Sequence, residues 1–418
     1  MRVLVISRNA WDDTNSIGNT LSNFFGGLES VEFANIYFRS SKPNNSICKR
    51  YYHATEKDIL KHWFSPDKIG KAFVWDEKNG ADVAERAEAK EKSLIRLIQK
   101  HNLKSMYRLS DFLWNSKKWI NGNLDAFVSA FAPDVVFSFV KSSPQYFLTV
   151  QYLKEKFGIP LFTWIADDEY TGLYKNRQNK KIECLRYILK ESAAVRGCSE
   201  EICDYYHSVF GCRAVPLYKG CDLSASLKDK IDSPLKIVYA GNLQYGRMEI
   251  ICKIAEILEH YEDISFDIYS NTQLSEDEQN RFRSKKHTAY LGKRDYSVIK
   301  ERLAEADVVL HAESFDPEQI LKTKYSFSTK IIDCLQSGSV LLAVGPGGIS
   351  SIEYVKKIPG ACVVENLERL EESVADFLAD AESFRERALK IRDFARLHHD
   401  VENNSKETLE ILKKIKSE

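Results

Sequence analysis

The sequence predicts an α/β protein with two doubly wound domains, and three observations support this fold class. The chain has 418 residues, more than one ordinary hydrophobic core organises. Short apolar runs alternate with helical patterns along most of it, which is typical of parallel sheets covered by helices. The alternation stops at Tyr218 to Asp222, and the polar stretch from Ser224 to Pro234 suits a connector. We therefore predict domains at 1–218 and 219–395, followed by a C-terminal helical segment at 396–418.

Composition and charge are those of a globular protein. Hydrophobic residues make up 44% and charged residues 29%, and 60 basic side chains balance 60 acidic ones. No global field would therefore draw the protein to nucleic acid. The 9 cysteines contain no CxxC pair, which favours reduced thiols and argues against a zinc site. The N-terminus resembles a strand and not a signal peptide, and no apolar window is long enough to span a membrane, so we expect a cytoplasmic protein.

The first domain opens with a buried strand, Arg2 to Ser7, and a polar loop that leads into a helix near Gly18. A second strand follows at about Glu32 to Phe38. In doubly wound domains, ligands gather at the carboxyl ends of the strands. Gly18 is therefore a candidate for ligand contact.

Residues 44–123 form an insertion in which the α/β alternation is hard to follow. We predict a charged helix from Ala81 to Lys100. The rest is rich in aromatic residues, namely Trp63, Phe64, Phe73, Trp75, Phe112, Trp114 and Trp119. We favour a role in covering the first sheet, because aromatic side chains dominate cores. The alternative is an amphipathic surface near Lys117 and Lys118 that docks peripherally on acidic lipid at the inner face of the membrane.

After residue 123 the alternation returns, with strands near 135–140, 160–165, 193–197 and 213–217. The strand that ends at Ile165 runs into Ala166-Asp167-Asp168-Glu169. Three carboxylates at the end of a strand suit a metal site or general base catalysis. They are also common in solvated turns, and both interpretations stay open here. Asp168, with Asp167 as the alternative, is our candidate catalytic carboxylate.

The second domain begins with the strand Leu235 to Ala240, followed by Gly241 and Asn242. A helix from about 248 to 261 and a strand at 265–269 complete a right-handed βαβ unit. A further strand, Val308 to His311, carries Glu313 and Asp316 just beyond its carboxyl end. These polar residues are expected at one edge of the second sheet.

The most informative stretch runs from Tyr325 to Gly348. Ser328 and Thr329 suit the start of a helix, because their oxygens can cap free N–H groups. The helix N-terminus and Lys330 would hold a phosphate, and Asp333 lies roughly 7 Å further along the axis, at ~1.5 Å per residue. That spacing fits the reach from a diphosphate to its own ribose. The alternative is an ordinary helix with Lys330 and Asp333 on a solvated face.

This stretch resembles the donor-binding signature of GT-B glycosyltransferases, in particular the family 4 group (group 1). In register with that signature, Phe327 matches its Phe, Asp333 matches the Glu that binds the nucleotide ribose, and Gly338 matches its closing Gly. The first acid of the signature aligns with Tyr325, which is a departure. The resemblance then implies that Glu313 or Asp316 replaces the contact of that acid with the donor sugar, or that the contact is absent.

The resemblance continues near the start of the second domain. Gly241 matches a family glycine, Arg247 stands where a family lysine is expected, and Asn242 replaces a family arginine. One cation is therefore missing. Arg247 and Lys330 would share the stabilisation of the donor diphosphate, or Arg294 would assist.

The resemblance implies two Rossmann-like domains facing an interdomain cleft, with the C-terminal helix packing back toward the first domain. It implies transfer of a sugar from a nucleoside-diphosphate sugar, with UDP or GDP expected, to a saccharide or lipid-linked glycan acceptor in polysaccharide biosynthesis. Retention of configuration and independence from metal are also implied. The base would lie near Leu291 and Gly292. The residues expected to act in catalysis are Arg247, Lys330 and Asp168, and those expected to bind the donor are Gly18, Gly241, Asn242, Glu313, Ser328, Thr329, Lys330 and Asp333.

Two alternatives remain open at the level of sequence. A nucleotide-sugar 2-epimerase of the same fold would bind the same donor without an acceptor. A catalytically inactive nucleotide-sugar-binding scaffold is favoured by Asn242 and Tyr325, the two departures from the family pattern.

Overall fold

A computed structural model describes residues 1–76, 104–228 and 230–417, and the chain divides into two compact units. Unit 1 comprises Met1–Gly197, Cys203–Pro216 and Ser405–Glu418, and unit 2 comprises Cys198–Ile202 and Leu217–Asn404. The helix predicted at Ala81 to Lys100 lies outside the described residues.

Unit 1 is built on an eight-stranded sheet in the order β4-β3-β2-β1-β5-β6-β7-β8. Its neighbouring strands are parallel except for the antiparallel pair β3–β4. The central strands β1, β5 and β6 are almost wholly apolar and buried, as parallel strands covered on both faces must be. The strands are β1 Arg2–Ser7, β2 Glu32–Tyr37, β3 Arg50–His53, β4 Lys71–Val74, β5 Val135–Phe139, β6 Leu161–Ile165, β7 Ser192–Gly197 and β8 Ala214–Pro216.

Unit 2 is built on a six-stranded, fully parallel sheet in the order β11-β10-β9-β12-β13-β14. Its strands are β9 Leu235–Ala240, β10 Ile264–Tyr269, β11 Thr288–Gly292, β12 Val308–Ala312, β13 Val340–Val344 and β14 Cys362–Val364. The strand order reverses between β9 and β12 here, and between β1 and β5 in unit 1. Such reversal points are where open α/β sheets bind ligands, beyond the carboxyl ends of the strands.

The helices follow the strands in the alternation that the sequence predicts. In the first half of the chain they are α1 Ser16–Phe25, α2 Glu56–Lys61, α3 Lys104–Asn115, α4 Gly122–Phe131, α5 Pro144–Phe157, α6 Tyr170–Lys175, α7 Asn179–Glu191 and α8 Glu200–Phe210. In the second half they are α9 Arg247–Leu258, α10 Glu276–Arg283, α11 Tyr296–Glu305, α12 Pro317–Thr323, α13 Lys330–Gln336, α14 Ser350–Lys356, α15 Leu370–Ala379, α16 Phe384–His398 and α17 Val401–Ser417. Short 3-10 turns lie at Pro66–Lys68, Leu367–Arg369 and Ala381–Ser383. In the part of the chain that the structure describes, no helix combines the length and apolar character needed to cross a bilayer.

The insertion adds two strands to the first sheet that the sequence pattern does not predict. β3 pairs parallel to β2, β4 runs antiparallel to β3, and Phe73 stacks on Tyr51 with ring centroids 5.5 Å apart. Trp114 and Trp119 are buried, which confirms the core role predicted for these two residues. Phe64 and Phe112 depart from that prediction, because they are 94% and 60% exposed.

Apart from the short segment Cys198–Ile202, the chain passes between the units at 216/217 and again at 404/405. We call residues 217–222 the first crossover and residues 398–404 the second crossover. The two run side by side: the Cys221 amide donates to the His399 carbonyl at 2.6 Å, and Cys221 forms a β-bridge with Asp400. A Cβ on Gly220 would lie 2.7 Å from the Cα of Val401, so only glycine permits this approach.

His399 is a fully buried histidine of the second crossover. Its Nδ1 lies 3.0 Å from the Lys219 carbonyl, which can only accept, so Nδ1–H donates and Nε2 accepts from the Tyr354 hydroxyl. This is the neutral tautomer. Burial lowers the pKa of His399 to about 4, although the Lys219 carbonyl favours the charged ring, and His398 lowers the pKa further.

We predict that His399 makes the protein less stable as the pH falls from about 6.5 toward 4. Over that range the unfolded state binds a proton at this histidine and the folded state does not, because the pKa of His399 is lowered from 6.5 to about 4 on folding. The stabilisation is complete above pH 6.5 and decreases by about 3 kcal/mol toward pH 4. Urea denaturation at pH 7, 5.5 and 4.5 should show a smaller loss of stability for His399→Gln than for the wild type. The exposed His207→Gln is the control, and equal pH slopes in all three proteins would contradict the prediction.

Candidate functional site

The candidate site of unit 2 lies where the strand order reverses, between β9 and β12. The loop after β9 runs from Gly241 to Gly246, and Glu313 follows β12. Gly246 has φ +74°, and a Cβ there would lie 2.3 Å from the Ser314 hydroxyl oxygen. Glycine therefore allows the loop to approach Ser314 closely, at the start of α9.

Arg247 and Glu313 form a buried ion pair at this edge. The Arg247 Nη2 group donates to both Glu313 carboxylate oxygens, at 2.9 and 2.8 Å. The Arg247 Nε–H donates to the Ala312 carbonyl at 3.1 Å, and Nη1 donates to the Asn242 side-chain oxygen at 2.9 Å. Four of the five guanidinium N–H groups are thus engaged, and one on Nη1 is left.

The charges of this pair largely cancel each other. Burial alone would raise the pKa of Glu313, but His311 and Arg247 hold the pKa of its carboxyl below the usual value. Burial would lower the pKa of Arg247, and the Glu313 carboxylate raises it. Arg247, predicted to hold the donor diphosphate, is therefore neutralised by Glu313, which was predicted to contact the donor sugar. Asn242 orients the guanidinium and adds no charge.

His311 is a site residue that the sequence analysis does not single out. It is buried on β12, and its Nε2 lies 3.3 Å from Glu313 Oε1. The only sequence signal is its place at the carboxyl end of a strand, two residues before Glu313. On a strand that spacing puts both side chains on one face.

The second part of the site is centred on Asp333, in the first turn of α13. Asp333 is buried, and its Oδ1 accepts from the Tyr296 hydroxyl at 2.9 Å and lies 3.5 Å from the Lys219 ammonium. Its Oδ2 lies 3.6 Å from the ammonium of Lys330, a side chain that is 47% exposed. One carboxylate oxygen is thus held by the buried Lys219 and the partly buried Tyr296, and the other faces an accessible cation.

Neither Lys219 nor Tyr296 is found by the sequence analysis. Gln336 donates to the Tyr296 hydroxyl at 3.1 Å, and both burial and the negative charge of Asp333 raise the pKa of Tyr296. The one sequence feature that points to Lys219 is its position as a lysine among apolar residues of the first crossover. Tyr296 has no such feature.

The predicted hydroxyl caps of α13 are wrong. Thr329 occupies the position before the helix, and its side chain caps no N–H group. The Ser328 amide instead donates to the Ser351 hydroxyl of α14, and the Ile331 and Ile332 amides bond to the carbonyls of Ser328 and Thr329. Tertiary contacts and tight turn bonds satisfy the backbone in place of caps.

Gly18 belongs to unit 1, where its surroundings explain why it is glycine. Its amide donates to the Asn15 side-chain oxygen at 2.9 Å, and a Cβ would lie 2.0 Å from the Asp12 carbonyl oxygen. Gly18 thus lets the loop after β1 fold onto α1, and its N–H group is already bonded.

The three carboxylates after β6 have three different environments. Asp168 Oδ1 accepts from the Tyr170 and Thr171 amides, at 2.9 and 3.2 Å, and so holds the start of α6. Glu169 pairs with Lys141 at 2.9 Å and accepts from the amide and hydroxyl of Ser142. Asp167 is 63% exposed and lies 3.7 Å from the Lys141 ammonium, beyond hydrogen-bond distance.

Burial and ion pairing set the protonation of this cluster. Burial would raise the pKa of Glu169, yet Lys141 and Ser142 hold it below the usual value. Burial would lower the pKa of Lys141, and Glu169 and Asp167 raise it. Both groups are therefore charged near neutral pH. Among the described residues, no group of three or more His, Cys, Asp or Glu side chains is arranged to hold a metal.

Comparison with known proteins identifies the fold. No model of a known protein family matches the chain, and neither does any curated protein sequence. Solved structures do match along nearly the whole chain. Sucrose-phosphate synthase from Thermosynechococcus elongatus has a TM-score of 0.64 at 10% identity, over 99% of each chain.

Two further structures give the same result. Anabaena HepE in complex with UDP-glucose has a TM-score of 0.61 at 11% identity, over 99% of this chain and 100% of that one. The UDP-forming α,α-trehalose-phosphate synthase of Burkholderia xenovorans, in complex with glucose-6-phosphate, has a TM-score of 0.60 at 12% identity, over 99% of each chain. These neighbours are GT-B glycosyltransferases, and the chain has the GT-B fold, with two Rossmann-like α/β domains.

We predict that Glu313→Gln destabilises the protein by about 3 kcal/mol, because it leaves the buried Arg247 charge without its partner. Urea denaturation measures this change. The double variant Glu313→Gln/Arg247→Met removes both charges and should recover more than half of the loss. Glu249→Gln is the matched control, since Glu249 makes an exposed bidentate pair with Arg281. A loss no greater than in this control would mean that the Arg247–Glu313 pair does not hold the loop after β9.

Proposed function

We propose that the protein transfers a sugar from a nucleoside-diphosphate sugar to a saccharide or lipid-linked glycan acceptor in polysaccharide biosynthesis. The observation that carries the proposal is the arrangement of the Asp333 carboxylate. Its Oδ1 is held by Tyr296 and Lys219, and its Oδ2 faces Lys330 at the start of α13. The structural neighbours support it, since HepE was solved in complex with UDP-glucose and the Burkholderia enzyme is a UDP-forming synthase.

The donor ribose donates a hydroxyl to Asp333 Oδ2, and Lys330 contacts the diphosphate. Three cations, Lys219, Lys330 and Arg247, face two carboxylates, Asp333 and Glu313, in these two clusters, so their charges sum to +1. A net positive charge favours a diphosphate. Gly241, Asn242, Ser328 and Thr329 form the backbone and polar surroundings, and the base lies near Leu291 and Gly292.

The chemistry breaks the bond between the anomeric carbon and a diphosphate oxygen and forms a bond from that carbon to the acceptor oxygen. The acceptor hydroxyl loses a proton, and negative charge develops on the diphosphate. Lys330 and the remaining N–H group of Arg247 stabilise this charge, so the residues can act without a metal. Resemblance to family 4 enzymes supports retention of configuration.

The acceptor contact that the sequence assigns to Asp168 is better supplied by Asp167. One oxygen of Asp168 already accepts two backbone N–H groups. The Asp167 carboxylate is exposed and makes no short contact with Lys141. A carboxylate with unused lone pairs accepts a sugar hydroxyl, and it can take the proton of that hydroxyl as transfer proceeds.

One observation favours a nucleotide-sugar-binding scaffold as a second candidate. The cation expected on the diphosphate, Arg247, is paired with Glu313, and Tyr325 stands where the family pattern has an acid. Such a protein would bind the donor at Asp333 without turnover. Sugar transfer to any acceptor excludes this candidate.

We predict that a ribonucleoside diphosphate raises the melting temperature of the purified protein without magnesium, because a ligand that binds only the folded state stabilises it. The screen compares UDP, GDP, ADP, CMP and dTDP. Asp333→Ala should abolish the shift. Lys330→Ala should weaken diphosphate binding by about 1.5–3 kcal/mol, as expected for a lost hydrogen bond to a charged group. The exposed Lys322→Ala serves as control, and absence of any shift in the wild type removes the donor site.

We predict that Asp167→Asn lowers transfer to acceptor at least 10-fold, because an amide neither takes a proton nor accepts as strongly. Asp168→Asn, which keeps the oxygen that caps α6, should stay within about 2-fold of the wild type. The assay measures release of the nucleoside diphosphate with donor and a pool of candidate acceptors. Normal melting temperatures and nucleotide shifts establish that both variants are folded and bind donor. A larger loss of transfer in Asp168→Asn than in Asp167→Asn would assign the acceptor contact to Asp168.

A further inference from the structure

Lys219 is a buried lysine in the first crossover that none of the family patterns explains. Its ammonium lies 3.5 Å from Asp333 Oδ1 and 5.7 Å from the centre of the Tyr296 ring. A lysine is buried only where its charge is compensated. Here the compensation comes from Asp333, the residue to which we assign the ribose.

The backbone of Lys219 is bonded to the second crossover. Its carbonyl accepts from His399 Nδ1–H at 3.0 Å, and two residues later the Cys221 amide donates to the His399 carbonyl. The Asn404 side chain donates to the Tyr218 carbonyl at 3.1 Å. One residue therefore contacts the donor-site carboxylate with its side chain and the second crossover with its main chain.

A second contact joins the first crossover to α13. The Cys221 thiol lies 3.7 Å from the carbonyl of Ile332, the residue before Asp333. The Asp222 amide donates to the Gln336 side-chain oxygen at 3.3 Å, and Gln336 in turn donates to the Tyr296 hydroxyl. The first crossover is thus packed against α13, the helix that carries Asp333, through both a thiol contact and hydrogen bonds.

We infer that Lys219 is a positioning residue that couples nucleotide binding at Asp333 to the two crossovers. Together with Tyr296 it holds Oδ1, so that Oδ2 is presented to the ribose. A ribose hydroxyl bound to Oδ2 fixes the carboxylate, and the carboxylate fixes the Lys219 side chain. The hydrogen bonds between the two crossovers then open less often. The inference rests on the donor site of the proposed function.

Coupling of this kind is reciprocal. If a nucleotide reduces opening of the crossovers, then any change that orders the crossovers raises nucleotide affinity by the same factor. The two crossovers lie next to the passages between the units at 216/217 and 404/405, so occupancy of the donor site would affect the chain at these two passages. A lysine that served only to compensate charge would stabilise the fold without this response to nucleotide.

Hydrogen exchange on the full chain measures the effect directly. UDP, GDP and ADP are each added at 1 mM, and exchange is followed in peptides covering 217–222 and 398–404, with α10 as the internal reference. In the wild type, the nucleotide that raises the melting temperature should slow exchange at least 5-fold in both crossovers, including the Cys221 amide, and leave α10 unchanged. A melting-temperature shift without protection of the crossovers overturns the inference and leaves the proposed function standing. No shift with any nucleotide removes the proposed function and the inference together.

The variant that tests Lys219 is Lys219→Met, which keeps the length of the side chain and removes the charge. It should abolish the protection, weaken binding of the nucleoside diphosphate that raises the melting temperature at least 10-fold, and reduce the preference for that nucleotide over its 2′-deoxy form. The preference for the diphosphate over the monophosphate should fall less than the preference for the ribose form over the 2′-deoxy form, because Lys219 holds Asp333 and does not contact the diphosphate. A larger fall in the diphosphate preference would make Lys219 a phosphate ligand and overturn its positioning role.

The matched control is Lys228→Met. Lys228 pairs at 2.8 Å with Asp307, another buried aspartate of unit 2, and it lies outside the crossovers. This variant should keep nucleotide binding and protection. If Lys219→Met does not fold, Lys219→Met/Asp333→Asn removes both buried charges, and this double variant should fold, bind nucleotide weakly and show no protection. Protection that persists in a folded Lys219 variant would overturn the inference.

Discussion

The carboxylate of Asp333 is the group on which the arrangement of unit 2 depends. An ionised carboxylate buried at the start of a helix costs free energy unless charge and hydrogen bonds compensate it. Three separate parts of the chain supply this compensation: Lys219 from the first crossover, Tyr296 from α11 and Lys330 from α13 itself. Because these partners converge on one group, the crossover, α11 and α13 are fixed relative to each other.

The two ion pairs at this edge of the sheet differ in what they leave available to a ligand. Both oxygens of Glu313 already accept from Arg247, and one also lies near His311. Asp333 uses one oxygen for Lys219 and Tyr296 and turns the other toward the accessible Lys330. Because both oxygens of Glu313 are engaged by Arg247, this pair serves to hold the loop after β9. The open oxygen makes Asp333 the better candidate for ligand binding, although both acids stand at the carboxyl edge where a sequence pattern would place a site.

The sequence predicts those features of the fold and site that depend on neighbouring residues, and misses those that depend on residues far apart in the chain. The buried strands β12 and β13 are continuous apolar runs, and α13 carries its apolar residues at helical spacing, so local pattern locates them. The four-residue strands β3 and β4 are too short for a pattern to appear, and the insertion hides them. Side-chain partners are harder still, because Lys219 and Asp333 are separated by 114 positions and Arg247 and Glu313 by 66. Only the folded sheet brings such residues together. The hydroxyl caps of α13 fail for the same reason, since a tertiary contact with Ser351 replaces them.

The departures from the family pattern concern the positions of charged side chains, and they are best compared by where the charges lie in the folded chain. The pattern that this chain resembles has two cations after the first strand of the second domain, whereas here Asn242 is neutral and Arg247 is compensated by Glu313. Electrostatic attraction for a diphosphate depends on net charge and distance, and not on which strand supplies the charge. In these two clusters the accessible cation is Lys330, whereas the charge of Lys219 is compensated by Asp333 and its main chain holds the second crossover.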